Sequence, residues 1–141
     1  TAMAVINDIG NLSDIHPRNK APVGKRLGLL AKHNTYGHED SIAYSPKPAS
    51  IETSGKYLRV TFIHTGTGLH SRGGTALEGF EVAEQDGKFS KAVARIDGDA
   101  VVLSAPLIQN PAHVRFGWNP AVQANLVNSV GLPSGTFKLS K

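Results

Sequence analysis

Strand formation is clearest in the stretch Tyr57-Leu58-Arg59-Val60-Thr61-Phe62-Ile63-His64. Apolar side chains alternate there with polar ones, and many positions are β-branched or aromatic, which is typical of a strand with one buried face. Downstream, Asp86-Gly87 and Asp97-Gly98-Asp99 are strong signals for tight reversals between strands. The residues around these turns therefore read as a series of short antiparallel strands.

The strands predicted in this series are residues 57–64, 77–84, 88–96, 100–104, 113–118 and 136–139. Six or seven short strands at this spacing, with no helical segment among them, predict an antiparallel β-sandwich over residues 51–141. Gly79 is expected to form a bulge, and Trp118 is expected in the core. The glycine-rich residues 65–74 are interpreted as a flexible loop, because the helix that a phosphate-binding loop requires does not follow them.

Upstream of the strands, residues 41–50 are interpreted as a linker, in which Pro46 and Pro48 favour an extended strut. This linker divides the chain into two predicted units, 1–40 and 51–141. The first unit contains an amphipathic helix that reaches about Thr35. Asn19 is expected to be its N-cap, Pro22 fits its first turn, and Gly37 is expected to end it in a left-handed conformation.

One face of the predicted helix is apolar and consists of Val23, Leu27, Leu30 and Ala31. Gly24 and Gly28, four residues apart, would let another element pack closely against the helix. Residues 1–6 form a continuous apolar run and are interpreted as a short buried strand. Such a strand belongs to a sheet that is covered on both faces, and this chain offers no obvious partner for it.

His16 lies on the loop between the predicted strand and the helix, with Asp14 two residues and Asp8 eight residues before it. A histidine held on such a loop near a carboxylate is a candidate general base, because one ring nitrogen can take a proton while an acceptor orients the other. Asp14 is the favoured orienting group. Asp8 and a backbone carbonyl are the two alternatives.

The segments Met3-Ala4-Val5, Asp8-Ile9-Gly10, Ile15-His16-Pro17-Arg18-Asn19-Lys20 and Val23-Gly24-Lys25-Arg26-Leu27 resemble the C-terminal part of sialate O-acetylesterases. These enzymes are serine esterases of the SGNH superfamily. The resemblance implies that residues 1–40 are the end of an SGNH α/β domain and that His16 is its catalytic histidine. The chain departs from the superfamily at the acid that accompanies the histidine. The superfamily places an aspartate three residues before the histidine, where this chain has Ser13.

The resemblance also implies a function, the removal of O-acetyl groups from sialic acid or related sugars. No local serine has the strand-turn-helix setting of the nucleophile, so the chain alone is expected to be inactive. Its expected partners are an upstream serine-bearing SGNH portion and the O-acetylated sugar, with no metal or organic cofactor. A secreted or periplasmic location is expected from the resemblance.

Two other functions remain open. The chain could be a non-catalytic β-sandwich module that binds carbohydrate or docks onto a catalytic domain, with His16 in a structural role. It could also belong to an esterase of the same fold that acts on acylated plant polysaccharide. Exposed aromatic side chains clustered on one sheet face would favour the module.

Composition argues against several other classes. The net charge of +4 comes from lysines and arginines that are scattered and not interleaved with aromatic residues, so nucleic-acid binding is not expected. No apolar run approaches the roughly 18 residues of a membrane span. The chain has no cysteine, which excludes disulfides and thiolate metal sites. Its six histidines include no His-x-x-x-His pair, so no metal site is expected.

Overall fold

A computed structural model of the chain describes residues 1–120 and 122–141. Within these residues it contains one α-helix, α1 (Ala21–Tyr36), and a short 3₁₀ turn at Arg72–Gly74. The strands are β1 (Lys47–Ser54), β2 (Tyr57–Ile63), β3 (Leu69–Ser71), β4 (Phe80–Ala83), β5 (Ser90–Lys91), β6 (Val93–Asp97), β7 (Ala100–Ser104), β8 (His113–Phe116), β9 (Leu126–Asn128) and β10 (Phe137–Ser140). The prediction of a mainly β chain is confirmed.

The strands form three antiparallel sheets. The first has the order β1-β2-β7-β6, the second has the order β10-β8-β4-β5, and β3 pairs with β9 in a small third sheet. Alternate residues of β2, β7, β4 and β8 join a single apolar core, so the two larger sheets pack face to face. The predicted β-sandwich is thus the observed architecture.

An aromatic cluster occupies part of this core. The rings of Phe80 and Phe116 lie 4.5 Å apart between centroids, and the Phe137 ring stacks 5.6 Å from that of Phe116. Phe62 of the opposite sheet meets Phe137 edge to face at 5.7 Å. Fully burying one such side chain contributes about 1.5–3 kcal/mol. The cluster therefore holds the two sheets together.

The predicted turns are confirmed, whereas the single strand at residues 88–96 is wrong. Gly87 and Gly98 adopt the positive φ angles of 72° and 62° that their reversals require. Between them the chain leaves one sheet for the other, because β5 pairs with β4 and β6 pairs with β7. Ala92, a small buried residue, lies at this crossing, where a corner interrupts the ladder.

The glycine-rich residues 65–74 are not simply a loop. They contain β3 and the 3₁₀ turn, and β3 pairs with β9, a strand that the sequence analysis did not predict. Strands of three residues are too short to show an alternating pattern, so their pairing depends on tertiary context. Gly79, with φ 93°, precedes β4 and does not form a bulge inside a strand.

Trp118 is 51% exposed, so its expected place in the core is wrong. The strand β8 ends at Phe116, and Gly117 turns the chain with a φ of 65°. Trp118 therefore falls outside the alternation that buries Val114 and Phe116.

The strand predicted for residues 1–6 is also wrong, since the segment has no regular structure and Met3 is 83% exposed. No strand among the described residues pairs with it. By contrast, α1 follows the sequence pattern closely. Pro22 lies in its first turn and Gly37 ends it with φ 70°, although the N-cap is Lys20 rather than Asn19 and makes no side-chain capping bond.

The apolar face predicted for α1 is only partly buried. Leu30 is 5% exposed, whereas Leu27 is 49% exposed. Apart from the backbone of the helix itself, a side-chain carbon added at Gly24 or Gly28 would meet no described atom within 4 Å. One side of the helix is therefore open along these positions.

The first strand begins at Lys47, inside the predicted linker of residues 41–50, so the extended backbone expected at Pro48 is part of β1. Pro48 faces Phe62 in the ladder between β1 and β2, and Pro46 is buried. The division into units 1–40 and 51–141 remains a prediction. Among the described residues, no helix combines the length and the apolar character that spanning a membrane requires.

Candidate active site

Two short hydrogen-bonded turns shape the loop that carries His16. The Asp14 Oδ1 atom accepts a bond of 2.8 Å from the His16 backbone N–H, and the Asn11 Oδ1 atom accepts one of 2.9 Å from the Ser13 backbone N–H. In both turns an Asx side chain bonds the backbone two residues on, which is the usual way these residues stabilise a reversal. The backbone at His16 is thereby held by its neighbour Asp14.

The His16 imidazole is exposed and makes no hydrogen bond or ion pair with any described residue. Asp14 therefore contacts the backbone of His16 and not its ring, and the second oxygen of the Asp14 carboxylate is uncommitted in the described structure. No serine side chain among the described residues bonds the ring. The role of His16 as general base, with Asp14 as its orienting group, stays a prediction.

Asp8 is bound by two arginines. Its two carboxylate oxygens accept bonds of 2.6 and 2.7 Å from the guanidinium of Arg26, in a bidentate pair. The Nη2 atom of Arg72 lies 3.3 Å from Oδ2, and the Asp8 side chain is only 6% exposed. Arg26 also donates a bond of 2.7 Å to the Val5 carbonyl. We call Asp8, Arg26 and Arg72 the arginine clamp.

The clamp lowers the pKa of Asp8. Burial raises the pKa of the carboxyl, but the hydrogen bonds and positive charge of Arg26, together with the charge of Arg72, outweigh this effect. Asp8 is therefore an ionised group that joins the N-terminal segment to α1 and to the 3₁₀ turn of the β-rich part. Because both oxygens already face arginine, this arrangement favours an anchoring role over the orientation of His16.

A second junction between α1 and the sandwich forms around Tyr44. Its ring stacks on His64 at 5.0 Å and meets His33 of α1 edge to face at 5.3 Å. The Tyr44 hydroxyl donates a bond of 2.6 Å to the Asn34 side-chain oxygen. His64 holds a positive φ of 62°, an uncommon conformation outside glycine. Two polar junctions thus position the helix that follows the His16 loop.

Open depressions lie on both sides of the start of α1. One of about 500 Å³ is bounded by Asp8, Leu12 and Arg18 of the N-terminal part and by Gln123 of the β-rich part. Another of about 800 Å³ runs between the first turns of α1 and residues 130–132. His16 lines neither depression. Across the residues that the structure describes, no group of three histidines or carboxylates is arranged to hold a metal ion.

The arginine clamp has no local signature in the sequence. Arg26 lies 18 residues after Asp8, and Arg72 is part of the glycine-rich stretch that was interpreted as a loop. An acid and a base so far apart form a pair only after the chain folds. The one sequence signal was the position of both Asp8 and Arg26 within the motifs that resemble sialate O-acetylesterases.

Comparison with known proteins gives an informative similarity to a solved structure. No protein-family model and no curated protein matches the chain. Among solved structures, a carbohydrate acetylesterase from Xanthomonas citri matches with a TM-score of 0.91 and 41% sequence identity. The alignment covers 98% of this chain and 32% of that one, so this chain spans about a third of the length of its structural neighbour.

The aligned region covers the N-terminal segment as well as the sandwich, and its sequence identity is 41%. The similarity therefore concerns the sequence as well as the fold. It supports a relationship to the carbohydrate esterases. The narrower resemblance to sialate O-acetylesterases and to the SGNH superfamily stays a prediction. The chain is therefore similar, along almost its entire length, to one third of a carbohydrate acetylesterase.

Proposed function

We propose that this chain is the histidine-bearing C-terminal portion of a serine esterase that removes O-acetyl groups from carbohydrates. The observation that carries the proposal is the similarity to the carbohydrate acetylesterase of Xanthomonas citri, at 41% identity over 98% of the chain. The sequence around His16 supports it, because the motifs that resemble esterases lie there. As a piece of such an enzyme, the chain would contribute the base and the sandwich.

In the proposed mechanism, His16 takes the proton from a serine hydroxyl as that oxygen attacks the acetyl carbonyl. The sugar hydroxyl leaves with a proton returned by the same imidazole, and an acetyl-enzyme remains. Water, deprotonated by His16, then releases acetate and restores the serine. The exposed ring, which has no hydrogen bond to the described residues, leaves both nitrogens available for the serine and for an orienting acceptor.

Asp14 is the proposed orienting acid and Asp8 the anchor of the loop. Asp14 already holds the backbone of His16, and one of its oxygens is uncommitted within the described structure. Asp8 is engaged by the arginine clamp. A rotation of the His16 ring toward the second oxygen of Asp14 would form the contact that fixes the tautomer.

The proposed partner is a serine-bearing portion that packs against the N-terminal part of this chain. Leu12 is 75% exposed and Ile15 is 90% exposed, and both lie within four residues of His16. The open side of α1, with Leu27 between Gly24 and Gly28, offers further apolar surface. Exposed apolar surface of this kind is typical of an interface. Its position next to His16 fits a partner that brings the nucleophile.

O-Acetylated sialic acid or a related sugar is the proposed substrate, and secretion or export to the periplasm is the proposed location. Both follow from the resemblance of the His16 motifs to sialate O-acetylesterases. O-Acetylated plant polysaccharide is the competing substrate.

Acetate release by the longer parent protein tests the role of His16. The wild type would be compared with His16→Ala, and with His38→Ala as a control, since His38 is another exposed histidine. We expect His16→Ala to lose on the order of 10⁶-fold in kcat, as for removal of a triad histidine, while His38→Ala retains activity. Both O-acetylated sialic acid and acetylated xylan would be assayed. Full activity of a folded His16→Ala variant would refute the assignment.

A non-catalytic β-sandwich module that binds carbohydrate or docks onto a catalytic domain is the second candidate. The exposure of Trp118 favours it, since an exposed indole on a sandwich is a common binding element. In that case His16→Ala would leave acetate release by the parent protein unchanged. The same assay therefore separates the two candidates.

A further inference from the structure

Charged side chains cross the outer face of the second sheet in a single row. The register places Lys138 of β10 opposite Arg115 of β8, Arg115 opposite Glu81 of β4, and Glu81 opposite Lys91 of β5. Residues on either side of Arg115 in the sequence, such as Val114, are fully buried, so this row points away from the core. One row of charged side chains, with one residue from each strand, therefore crosses the outer face of this sheet.

Aromatic rings flank the centre of this row. Arg115 forms a bidentate pair with Glu81, with bonds of 2.8 and 2.9 Å. Its guanidinium lies 4.2 Å from the ring centroid of Phe89 and 6.0 Å from that of Trp118. We call these four residues the Trp118 platform. Because the ion pair and both rings hold the guanidinium, Trp118 stands beside a group of fixed geometry.

A shallow depression of about 130 Å³ adjoins the platform. Its walls include Glu78, Glu81, Lys91 and Asn119, the residue that follows Trp118. Lys91 and Glu78 form an ion pair with a distance of 3.0 Å. Hydrogen-bond donors and acceptors therefore line the depression, which shares Glu81 with the platform.

We propose that the Trp118 platform binds a neutral sugar unit of a glycan. Trp118 is 51% exposed, and its indole offers a rigid apolar face on which the C–H face of a pyranose ring can lie. The carboxylates and the ammonium that line the adjoining depression can bond sugar hydroxyls, a combination typical of sites with a few placed polar groups.

Charge favours a neutral ligand over an ionic one. Arg115 is paired with Glu81, and Lys91 is paired with Glu78. Of the charged row only Lys138, whose ammonium lies 5.6 Å from the centroid of the Phe89 ring, has no ion pair with a described residue, so the net charge beside Trp118 is small. Hydroxyl groups can use the remaining lone pairs of the carboxylates without breaking either pair. A charged ligand would have to compete with these existing ion pairs.

This inference deepens the proposed function and rests on it for the identity of the ligand, which would be the chain of sugars that carries the acetyl groups. The platform belongs to the sandwich, and the His16 loop belongs to the N-terminal part. The platform is therefore a binding site in addition to the catalytic one. It would hold the glycan by units other than the one that reacts.

Fluorescence provides a direct test because Trp118 is the only tryptophan of the chain. The 141-residue chain would be titrated with cellohexaose, xylohexaose and mannohexaose, and with sialyllactose as an acidic probe. Stacking of a sugar should shift the emission of Trp118 to shorter wavelength and protect it from acrylamide quenching. We expect saturable changes with at least one neutral hexaose.

Affinity electrophoresis in gels that contain the corresponding neutral polysaccharide would compare variants. Trp118→Ala should lower the affinity about tenfold or more, as for loss of a central aromatic contact. Trp118→Phe should retain part of the binding. Tyr57→Ala, which removes an exposed aromatic residue from the other sheet, should bind like the wild type. Circular dichroism would verify that each variant is folded.

Several results would overturn the inference: no response to any neutral probe, a response to sialyllactose alone, or unchanged retardation of folded Trp118→Ala. Acetate release by the longer parent protein is measured separately. Binding through Trp118 without esterase activity would sink the proposed function and leave the platform intact. Activity that depends on His16, without binding at Trp118, would sink only the platform.

Discussion

Breaking the arginine clamp should lower the free energy of unfolding by an amount that can be estimated from its burial. Replacing Asp8 with Asn preserves the shape of the side chain but removes its charge, and turns an N–H donor toward the guanidinium of Arg26. The Arg26 side chain is 12% exposed, so its charge would remain buried without a counterion. Removing one partner of a buried ion pair typically costs about 3–5 kcal/mol.

The expected loss for Asp8→Asn lies at the lower end of that range. Arg72, the second arginine, is 36% exposed and is therefore partly screened by water, so it adds little to the cost. We expect the free energy of unfolding to fall by about 3 kcal/mol. For a chain of this size that corresponds to a decrease in Tm of about 10 °C.

Urea unfolding at pH 7, followed by circular dichroism, would measure this loss for the 141-residue chain. The matched control is Asp97→Asn, which breaks an ion pair with Arg59 in which both side chains are 40% or more exposed. The control should change the midpoint far less, because exposed pairs contribute little. An equal shift of the urea midpoint for both variants would refute the argument that burial makes the arginine clamp more stabilising than an exposed ion pair.

The pH dependence follows from the lowered pKa of Asp8. The carboxyl has an ordinary pKa of 3.8, which the clamp lowers in the folded state. Above that value Asp8 is ionised whether the chain is folded or unfolded, and its full contribution to stability is present. Below it the unfolded chain binds the proton first, so the contribution declines as the pH falls through the folded-state pKa. Asp8→Asn should therefore show a weaker loss of stability between pH 4 and 2 than the wild type.

Two further predictions concern the sandwich. Phe116→Ala should lower the free energy of unfolding by about 3–5 kcal/mol and Phe116→Leu by clearly less, because Phe116 is fully buried in the aromatic cluster; equal losses in urea unfolding would contradict this reasoning. Asn128→Asp should cost about 3 kcal/mol or more, since the buried amide donates to the carbonyls of Tyr44 and His64, which would repel a carboxylate. The exposed control Asn110→Asp should leave the urea midpoint nearly unchanged, and a similar loss in both would refute the role of the buried amide.

Local patterns predicted the elements whose information lies within a few neighbouring residues. The alternation from Tyr57 onward predicted β2, and the bounds of β7 were predicted as they are observed. Pro22 and Gly37 marked the ends of α1 because each has a backbone preference of its own. Asp-Gly pairs marked the hairpin turns for the same reason.

Sequence patterns were less reliable for strands whose formation depends on pairing with a distant segment. The apolar run at residues 1–6 predicted a strand, yet a strand requires another to pair with, and none is present among the described residues. The pairing of β3 with β9 joins segments more than fifty residues apart and leaves no local trace. The change of sheet at Ala92 could not be predicted, because the residues on both sides of it within 88–96 have sequences typical of strands.

The candidate site also combines features that the sequence indicated with features that depend on contacts between distant segments. The sequence by itself determined that the chain is mainly β with one helix, and it singled out His16 and its neighbouring acids through their motif. Only the tertiary structure decided that Asp8 belongs to two arginines, that Asp14 holds the backbone of His16, and that Trp118 lies at the surface. Periodicity encodes which face of an element is apolar, whereas charge pairing and exposure depend on which distant segments the fold brings together.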